Sequence, residues 1–378
     1  EREGIAFTLV GPEAPLAAGI VDKFRARGLR IFGPTRAAAQ LESSKDFAKA
    51  FMKRHGIPTA DYESFTDPAA AHEYVAKKGA PIVVKADGLA AGKGVVVAMT
   101  EDAAHEAIDM MLEGHEFGNA GARVVIEDYL DGEEASFIVM VDGEHVLPMA
   151  TSQDHKRLLD GDKGPNTGGM GAYSPAPCVT DEVYEKTMRE IIEPTVRGMA
   201  EDGIRYTGFL YAGLMISQGK DGAPVVRTLE FNCRFGDPET QVVLPLLESD
   251  LLKVMTACTE GTLADTEVRF SDGAAACVIL ASGGYPVAYE KGKPITGLVD
   301  GQLPDEPNVT VYHSGTAITE DGQLVTNGGR VLGVTATAPG LPRAISIAYE
   351  AAEHIHFDKL HKRTDIGMRA LKALAEKE

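Results

Sequence analysis

Residues 81–98 constrain this chain more than any other stretch. Pro81-Ile82-Val83-Val84-Lys85 is a short β-branched run, and Val95-Val96-Val97-Ala98 is a second. Both have the composition of strands. Between them stands Ala86-Asp87-Gly88-Leu89-Ala90-Ala91-Gly92-Lys93-Gly94, a flexible connection of small residues around a lysine. The backbone N–H groups of such a loop can approach phosphate oxygens closely, and a lysine adds a point charge. The P-loop pattern is absent, because Gly94 rather than Ser or Thr follows Lys93. A loop between strands also has no helix dipole to offer. These residues fit a phosphate cradle and, equally, a hairpin with a solvated lysine.

The rest of the chain reads as an ordinary globular protein. Its 378 residues predict two to three domains at about 150 residues each. Hydrophobic residues at 44% and charged residues at 25% exclude a disordered or fibrous chain. Lys plus Arg is 37 and Asp plus Glu is 56, so the net charge of −19 argues against non-specific nucleic-acid or anionic-membrane partners. A local basic patch for a small anion stays compatible with it. No run of about 18 apolar residues occurs, which excludes a transmembrane helix. Cys178, Cys233, Cys258 and Cys277 are scattered with no CxxC, so neither a zinc ribbon nor a disulfide scaffold is expected, and a reducing cytoplasm fits best.

Before residue 43, Ile5 to Val10 reads as a strand, Leu16, Ile20, Val21 and Phe24 recur at helical spacing, and Leu29 to Phe32 reads as the next strand. This is a βαβ unit entered partway through. A helix capped by Ser43 or Ser44 should run from Lys45 to Arg54. Strands are expected at 124–127, 133–141, 146–147, 209–216, 224–231, 274–280, 309–313 and 330–336, with helices over 101–112, 181–201, 239–260 and 341–355. Thr151 to Pro177 carries five glycines and little periodicity, and reads as a long functional or disordered loop.

Three further constellations carry chemistry. In Glu230-Phe231-Asn232-Cys233-Arg234, strand alternation puts Glu230 and Asn232 on one face. A carboxylate beside an amide oxygen suits Mg²⁺, and Arg234 can pair bidentately with a carboxylate or phosphate; a strand end with solvated polar residues is the other reading. Ile126-Glu127-Asp128-Tyr129-Leu130 followed by Glu133-Glu134 fits either a nucleotide-binding linker or an exposed acidic turn. Ser152-Gln153-Asp154-His155-Lys156-Arg157 with Asn166-Thr167-Gly168-Gly169-Met170-Gly171 mixes charges with glycines, as a substrate-capture loop would; His155 is the tempting catalytic base, but a lone histidine is more often structural or solvated.

Together these stretches resemble the ATP-grasp superfamily, and within it the phosphoribosylamine–glycine ligase (glycinamide ribonucleotide synthetase) family. The resemblance is carried by VGPEAPL (10–16), IFGPT (31–35), KADGLAAGKGV (85–95), SQDHKR (152–157), GPNTGGMGAYSP (164–175), EFNCRFGDPETQ (230–241) and NGGRVL (327–332). It implies an α/β and α+β multidomain chain: a partial N-terminal α/β (pre-grasp) domain over 1–42, an ATP-grasp domain over 43–270 with a lid at about 66–133, and a mainly β C-terminal domain over 271–378. It implies ATP, Mg²⁺ (or Mn²⁺), glycine and 5-phosphoribosylamine as ligands, glycyl phosphate as intermediate, no nucleic acid or membrane partner, and a monomer or weak homodimer in the cytoplasm.

By the same resemblance Lys45 and Lys85 contact ATP phosphates, and Gly92, Lys93 and Gly94 lie on the lid loop. Glu127 and Leu130 hold the adenine region, Glu134 the ribose, and Glu230 and Asn232 the metal. Asp154, Lys156, Gly168, Gly169 and Arg234 line the substrate side, Arg234 clamping the acyl phosphate, with Asp154, Lys156 and Lys85 sharing the catalytic work and Glu13 bordering the phosphoribosylamine site. Lys45, Lys85, Lys93 and Arg234 would form a locally basic cleft. Two departures stand out. The family's opening strand and Gly-rich turn do not precede Ile5, and Ala212-Gly213-Leu214-Met215-Ile216 lacks the carboxylate many grasp enzymes place there. The alternatives are another grasp-type acid–amine ligase, or a truncated ATP-binding fragment without turnover.

Overall fold

The computed structural model describes residues 1–90, 94–114 and 117–376. The chain forms two compact units, one of Glu1–Met149, Val179–Phe235 and Leu251–Glu267, the other of Ala150–Cys178, Gly236–Asp250 and Val268–Glu378. Residues 150–178 and 236–250, expected within the grasp stretch, thus pack with the C-terminal strands.

The first unit holds three sheets. Thr8–Leu9 and Ile31–Phe32 pair in parallel, as the βαβ pattern implies. A four-stranded antiparallel sheet, labelled the lid sheet after the lid expected at about 66–133, runs in the order Tyr62–Phe65, Val124–Asp128, Ile82–Ala86, Val95–Ala98. Ile82, Val84, Ala86, Val124 and Ile126 put one face into a core shared with Ala71 and Val75 of the helix Pro68–Lys78 and Ala104, Ala107 and Ile108 of the helix Glu101–Ile108. The opposite face carries Val83, Lys85, Val125 and Glu127, by the period of two. Lys85 stands opposite Val125 and Val83 opposite Glu127, so Lys85 and Glu127 are diagonal neighbours.

The third sheet is built on longer strands, in the order Pro224–Asn232, Thr207–Gln218, Glu133–Asp142, Val146–Pro148. Its register shifts where Gly213 faces Glu230 and Leu214 faces Thr228, leaving Leu229 as the extra residue of a bulge. Among the described residues, backbone joins the lid sheet to this one at two places. Val124–Asp128 leads through residues 129–132 into Glu133–Asp142. At the other crossing Thr59 bridges Thr228, with the Thr228 N–H donating to the Pro58 carbonyl at 2.8 Å.

Helix Lys45–Arg54 begins as expected, the Ser44 hydroxyl accepting from the Phe47 N–H. The expected helix 181–201 contains a π-helical turn at Met188–Ile192, just before Pro194. A proline that cannot donate its backbone bond accounts for that widening. The expected helix 239–260 is broken into Thr240–Val243, a 3₁₀ turn at Leu244–Leu246 around Pro245, and Leu251–Glu260.

The second unit is a sheet ordered Val309–His313, Arg330–Ala338, Ala274–Ser282, Gly171–Ser174, Gln153–Asp154, with Leu360–His361 also pairing to Ala274–Ser282. Every residue of Ala274–Ser282 is buried, as suits a central strand. Helix Leu341–Ala352 covers it with Leu341, Ala344, Ile345, Ala348, Ala351 and Ala352. The expected loop 151–177 in fact holds four short strands, Gln153–Asp154, Arg157–Leu159, Lys163–Asn166 and Gly171–Ser174. These pieces are too short and glycine-rich to leave a period in the sequence. Among the described residues no helix is long and apolar enough to cross a membrane.

Candidate active site

The face of the lid sheet that carries Lys85 is closed by the helix Lys45–Arg54, and the meeting point is a buried carboxylate. Glu127 pairs with Lys85 through one oxygen and with Lys49 through the other. All three side chains are almost fully buried. Burial alone would raise the Glu127 carboxyl, but Lys85 and Lys49 together pull it below its ordinary value. Burial lowers Lys49 against the pull of Glu127. Lys85 also donates to the Leu229 carbonyl at 3.2 Å, which the bulge has taken out of the strand ladder. The side chain of Glu127 is therefore committed to lysines, and its backbone lies within the sheet, opposite Val83 on one side and Tyr62 on the other.

Lys49 was not among the sequence candidates. The signal for it was present, since Lys45 and Lys49 stand four residues apart and share one helix face. Lys45 reaches the base of the glycine loop, donating to the Gly88 carbonyl at 3.0 Å. Burial lowers its ammonium, and Glu230 and Lys85 are the next strongest influences on it. Asp87 fixes the loop's first turn, accepting from the Ser44 hydroxyl and from the Asp46 N–H, each at 3.2 Å. Ala86 donates to the Gly94 carbonyl at 2.7 Å and closes the loop at its foot. A side chain at Gly94 would stand 2.6 Å from the Ala90 Cβ, so only glycine fits there. Gly92 and Lys93 lie outside the described residues.

Arg234 joins a second set of carboxylates. Its Nη2 lies 3.0 Å from Glu42 Oε1 and its Nε 3.6 Å from Glu13 Oε2. Nη2 also donates to Asn232 Oδ1 at 3.4 Å. The structure thus brings Glu13, Asn232 and Arg234 together, and adds Glu42, which no sequence motif singled out. The other Glu42 oxygen accepts the Cys233 N–H at 2.7 Å. Burial pushes the Glu42 carboxyl up to about 7, against Arg234 and that N–H, with Glu13 and Glu230 adding repulsion. Its neighbourhood is as acidic as it is basic, which the expected basic cleft did not include. Glu230 stands opposite Gly213, and Asn232 opposite Tyr211, on one side of their strand. Among the described residues no group of three His, Cys, Asp or Glu is placed to hold a metal. Glu134 faces Met215 across the sheet, and Leu130 is half-buried between the two sheets' strands.

Asp154, Lys156, Gly168 and Gly169 belong to the second unit. There Arg330 organises the glycine turn, donating to the Gly168 carbonyl at 3.0 Å and pairing with Asp237 at 3.1 Å. Gly168 donates to the Tyr285 hydroxyl at 2.9 Å. A Cβ at Gly169, whose φ is +118°, would stand 2.4 Å from the Pro238 ring. Asp154 pairs with Ala172 in the sheet, and the Lys156 carbonyl accepts from Thr167 N–H at 2.7 Å. His155 is 2% exposed, and burial with Arg369 and Arg363 drives it down to about 3, so it is a neutral packing histidine rather than a base.

A lysine-bearing glycine loop on a small antiparallel sheet, linked by a short crossing to a sheet that presents Glu230 and Asn232, defines an ATP-grasp protein. The biotin carboxylase domain of Hydrogenobacter thermophilus 2-oxoglutarate carboxylase, solved with MgADP, shares this fold at a TM-score of 0.73 and 16% identity, covering 96% of this chain and 76% of that one. Sequence models of the N domain, the ATP-grasp (A) domain and the C domain of phosphoribosylglycinamide synthetase match residues 1–42, 43–240 and 275–369. The chain belongs to the phosphoribosylglycinamide synthetase family. It is 61% identical to the phosphoribosylamine–glycine ligase of Ralstonia nicotianae over 98% of this chain and 86% of the relative. The corresponding Escherichia coli O157:H7 protein is 57% identical over 98% and 85%. The crystal structure of Thermotoga maritima phosphoribosylamine–glycine ligase superposes at a TM-score of 0.80 with 38% identity, covering 92% of this chain and 84% of that one.

Proposed function

We propose that the chain is an ATP-dependent ligase of purine biosynthesis that joins glycine to 5-phosphoribosylamine, giving glycinamide ribonucleotide, ADP and phosphate. The observation that carries this reading is the match to all three domains of the family. The geometry supports it, since Glu230 and Lys85 both lie close enough to Lys45 in the first unit to influence its charge. Phosphoryl transfer asks a protein for positioning and charge neutralisation rather than a covalent nucleophile. Lys45 and Lys85 receive the ATP phosphates. The backbone around Glu127 and Leu130 receives the adenine, and Glu134 the ribose.

Glu230 and Asn232 offer the oxygen donors a hard divalent ion such as Mg²⁺ (or Mn²⁺) prefers, completed by phosphate and water oxygens. When bound, that ion neutralises charge on the transferring phosphoryl group. Arg234, already oriented by Glu42 and Glu13, faces the acyl phosphate formed on the glycine carboxylate. The amine then forms a C–N bond, loses a proton, and phosphate leaves with the electrons of the broken C–O bond. Asp154, Lys156, Gly168 and Gly169 are assigned to the two substrates, and Gly92, Lys93 and Gly94 to closure over ATP. A cytoplasmic setting and a monomer or weak homodimer complete the reading.

ADP release tests it. Release should require glycine and phosphoribosylamine together, and Lys85→Ala or Glu230→Ala should abolish it in a folded chain. ADP formed with another acid while glycine is inert would favour a different acid–amine ligase. ATP binding without any product would favour a fragment that cannot turn over.

A further inference from the structure

Lys49 carries a buried positive charge that no step above uses. Its ammonium has three partners inside the protein. It forms an ion pair with Glu127 and donates to Thr59 Oγ1 at 2.7 Å and to the Ala60 carbonyl at 3.3 Å. The Thr59 hydroxyl gives its own proton to the Thr228 carbonyl at 2.7 Å, which leaves its lone pairs for Lys49. Lys49 is thus locked. Among the described residues Lys85 reaches two acceptors, Glu127 and the Leu229 carbonyl, and the second is a single neutral bond.

This asymmetry bears on what Lys85 can do. A lysine that meets an arriving phosphate must loosen its hold on any carboxylate it already serves. If Lys85 were the sole partner of Glu127, its departure would strand a negative charge in the interior, among the costliest things a folded protein can be asked to do. Lys49 stays behind and prevents it. We propose that Lys49 is a positioning residue, the standing counter-ion of Glu127, which frees Lys85 to transfer from that carboxylate to a nucleotide phosphate. The inference rests on the ligase reading only in taking that phosphate to be ATP's.

The test is Lys49→Met, which keeps the bulk and removes the charge. Lys85 should then be held on Glu127. ATP affinity by calorimetry should weaken about tenfold or more, and the ATP KM should rise in step, while the glycine KM stays within about twofold. Glu127→Gln on top of Lys49→Met should bring ATP affinity back, because no carboxylate remains to hold Lys85, and Lys49→Arg should retain it. Unchanged ATP affinity in folded Lys49→Met would overturn the proposal, and so would a loss that Glu127→Gln does not reverse. Should Lys49→Met not fold, the double variant is compared with Glu127→Gln alone. Equal ATP affinities support the proposal and a further tenfold loss overturns it. Calorimetry with ATP needs neither substrate, so wild-type turnover judges the ligase reading separately.

Discussion

Glu42 is the side chain whose charge the fold changes most plainly near Arg234. Burial pushes its carboxyl from 4.5 up to about 7. The folded chain therefore holds this proton more tightly than the unfolded chain. The associated stability is fully present below pH 4.5 and is lost as pH rises through about 7. Glu42→Gln should remove that slope. Urea midpoints at pH 5 and pH 8 should show the wild type losing about 3 kcal/mol that the variant keeps. A slope that persists in the variant would place its origin elsewhere. Residues of this kind were hidden in the sequence for a physical reason. Glu42 lies in a helix far from the motif that carries Arg234, and only the fold puts them 3.0 Å apart. Lys49 was closer to legible, one helical turn from Lys45, because helix periodicity is a local property.

Elements were read best where one period ran long enough. Ile82–Ala86, Val95–Ala98 and Glu133–Asp142 came within a residue or so of expectation, because β-branched runs between turns admit few alternatives. Reading failed where short strands lay among glycines without a β-branched run, as in 153–174, and where Pro245 interrupted an apolar helical pattern. The crossing between the two larger sheets of the first unit ends on Gly132, at φ +149°. A Cβ there would stand 2.4 Å from the Ile216 carbonyl oxygen. Gly132→Ala should cost about 2 kcal/mol or more, read as a lowered urea midpoint. Gly28→Ala, also at positive φ but with open space around it, should cost about 1 kcal/mol. Equal losses would show that backbone conformation alone, not the contact with Ile216, decides both.

At the scale of the whole molecule, the four cysteines report on folding. All are free thiols; Cys233, Cys258 and Cys277 are buried and Cys178 is half-buried. Burial pushes Cys258 and Cys277 up to about 12, and Cys233 higher still, so they are thiols rather than thiolates near neutrality. A thiol reagent at pH 8 should label Cys178 quickly and the other three only on unfolding. Cys258 lies in the first unit and Cys277 in the second, so their labelling rates in urea should show whether the two units open together. Fast labelling of Cys233 in the native chain would contradict the packing around Arg234.

Among the described residues, backbone links the lid sheet to the long-strand sheet at two places, the crossing at 129–132 and the Thr59–Thr228 bridge. Two attachment points define a line, and a body held along a line has a single rotation left to it, like a door rather than a ball on a string. Lys85 and Glu127 ride on the door, while Thr228 and the Leu229 carbonyl belong to the frame. Lys49, reaching both Glu127 and Thr59, sits where a hinge pin would, so the same ammonium that balances the carboxylate also lies beside that line.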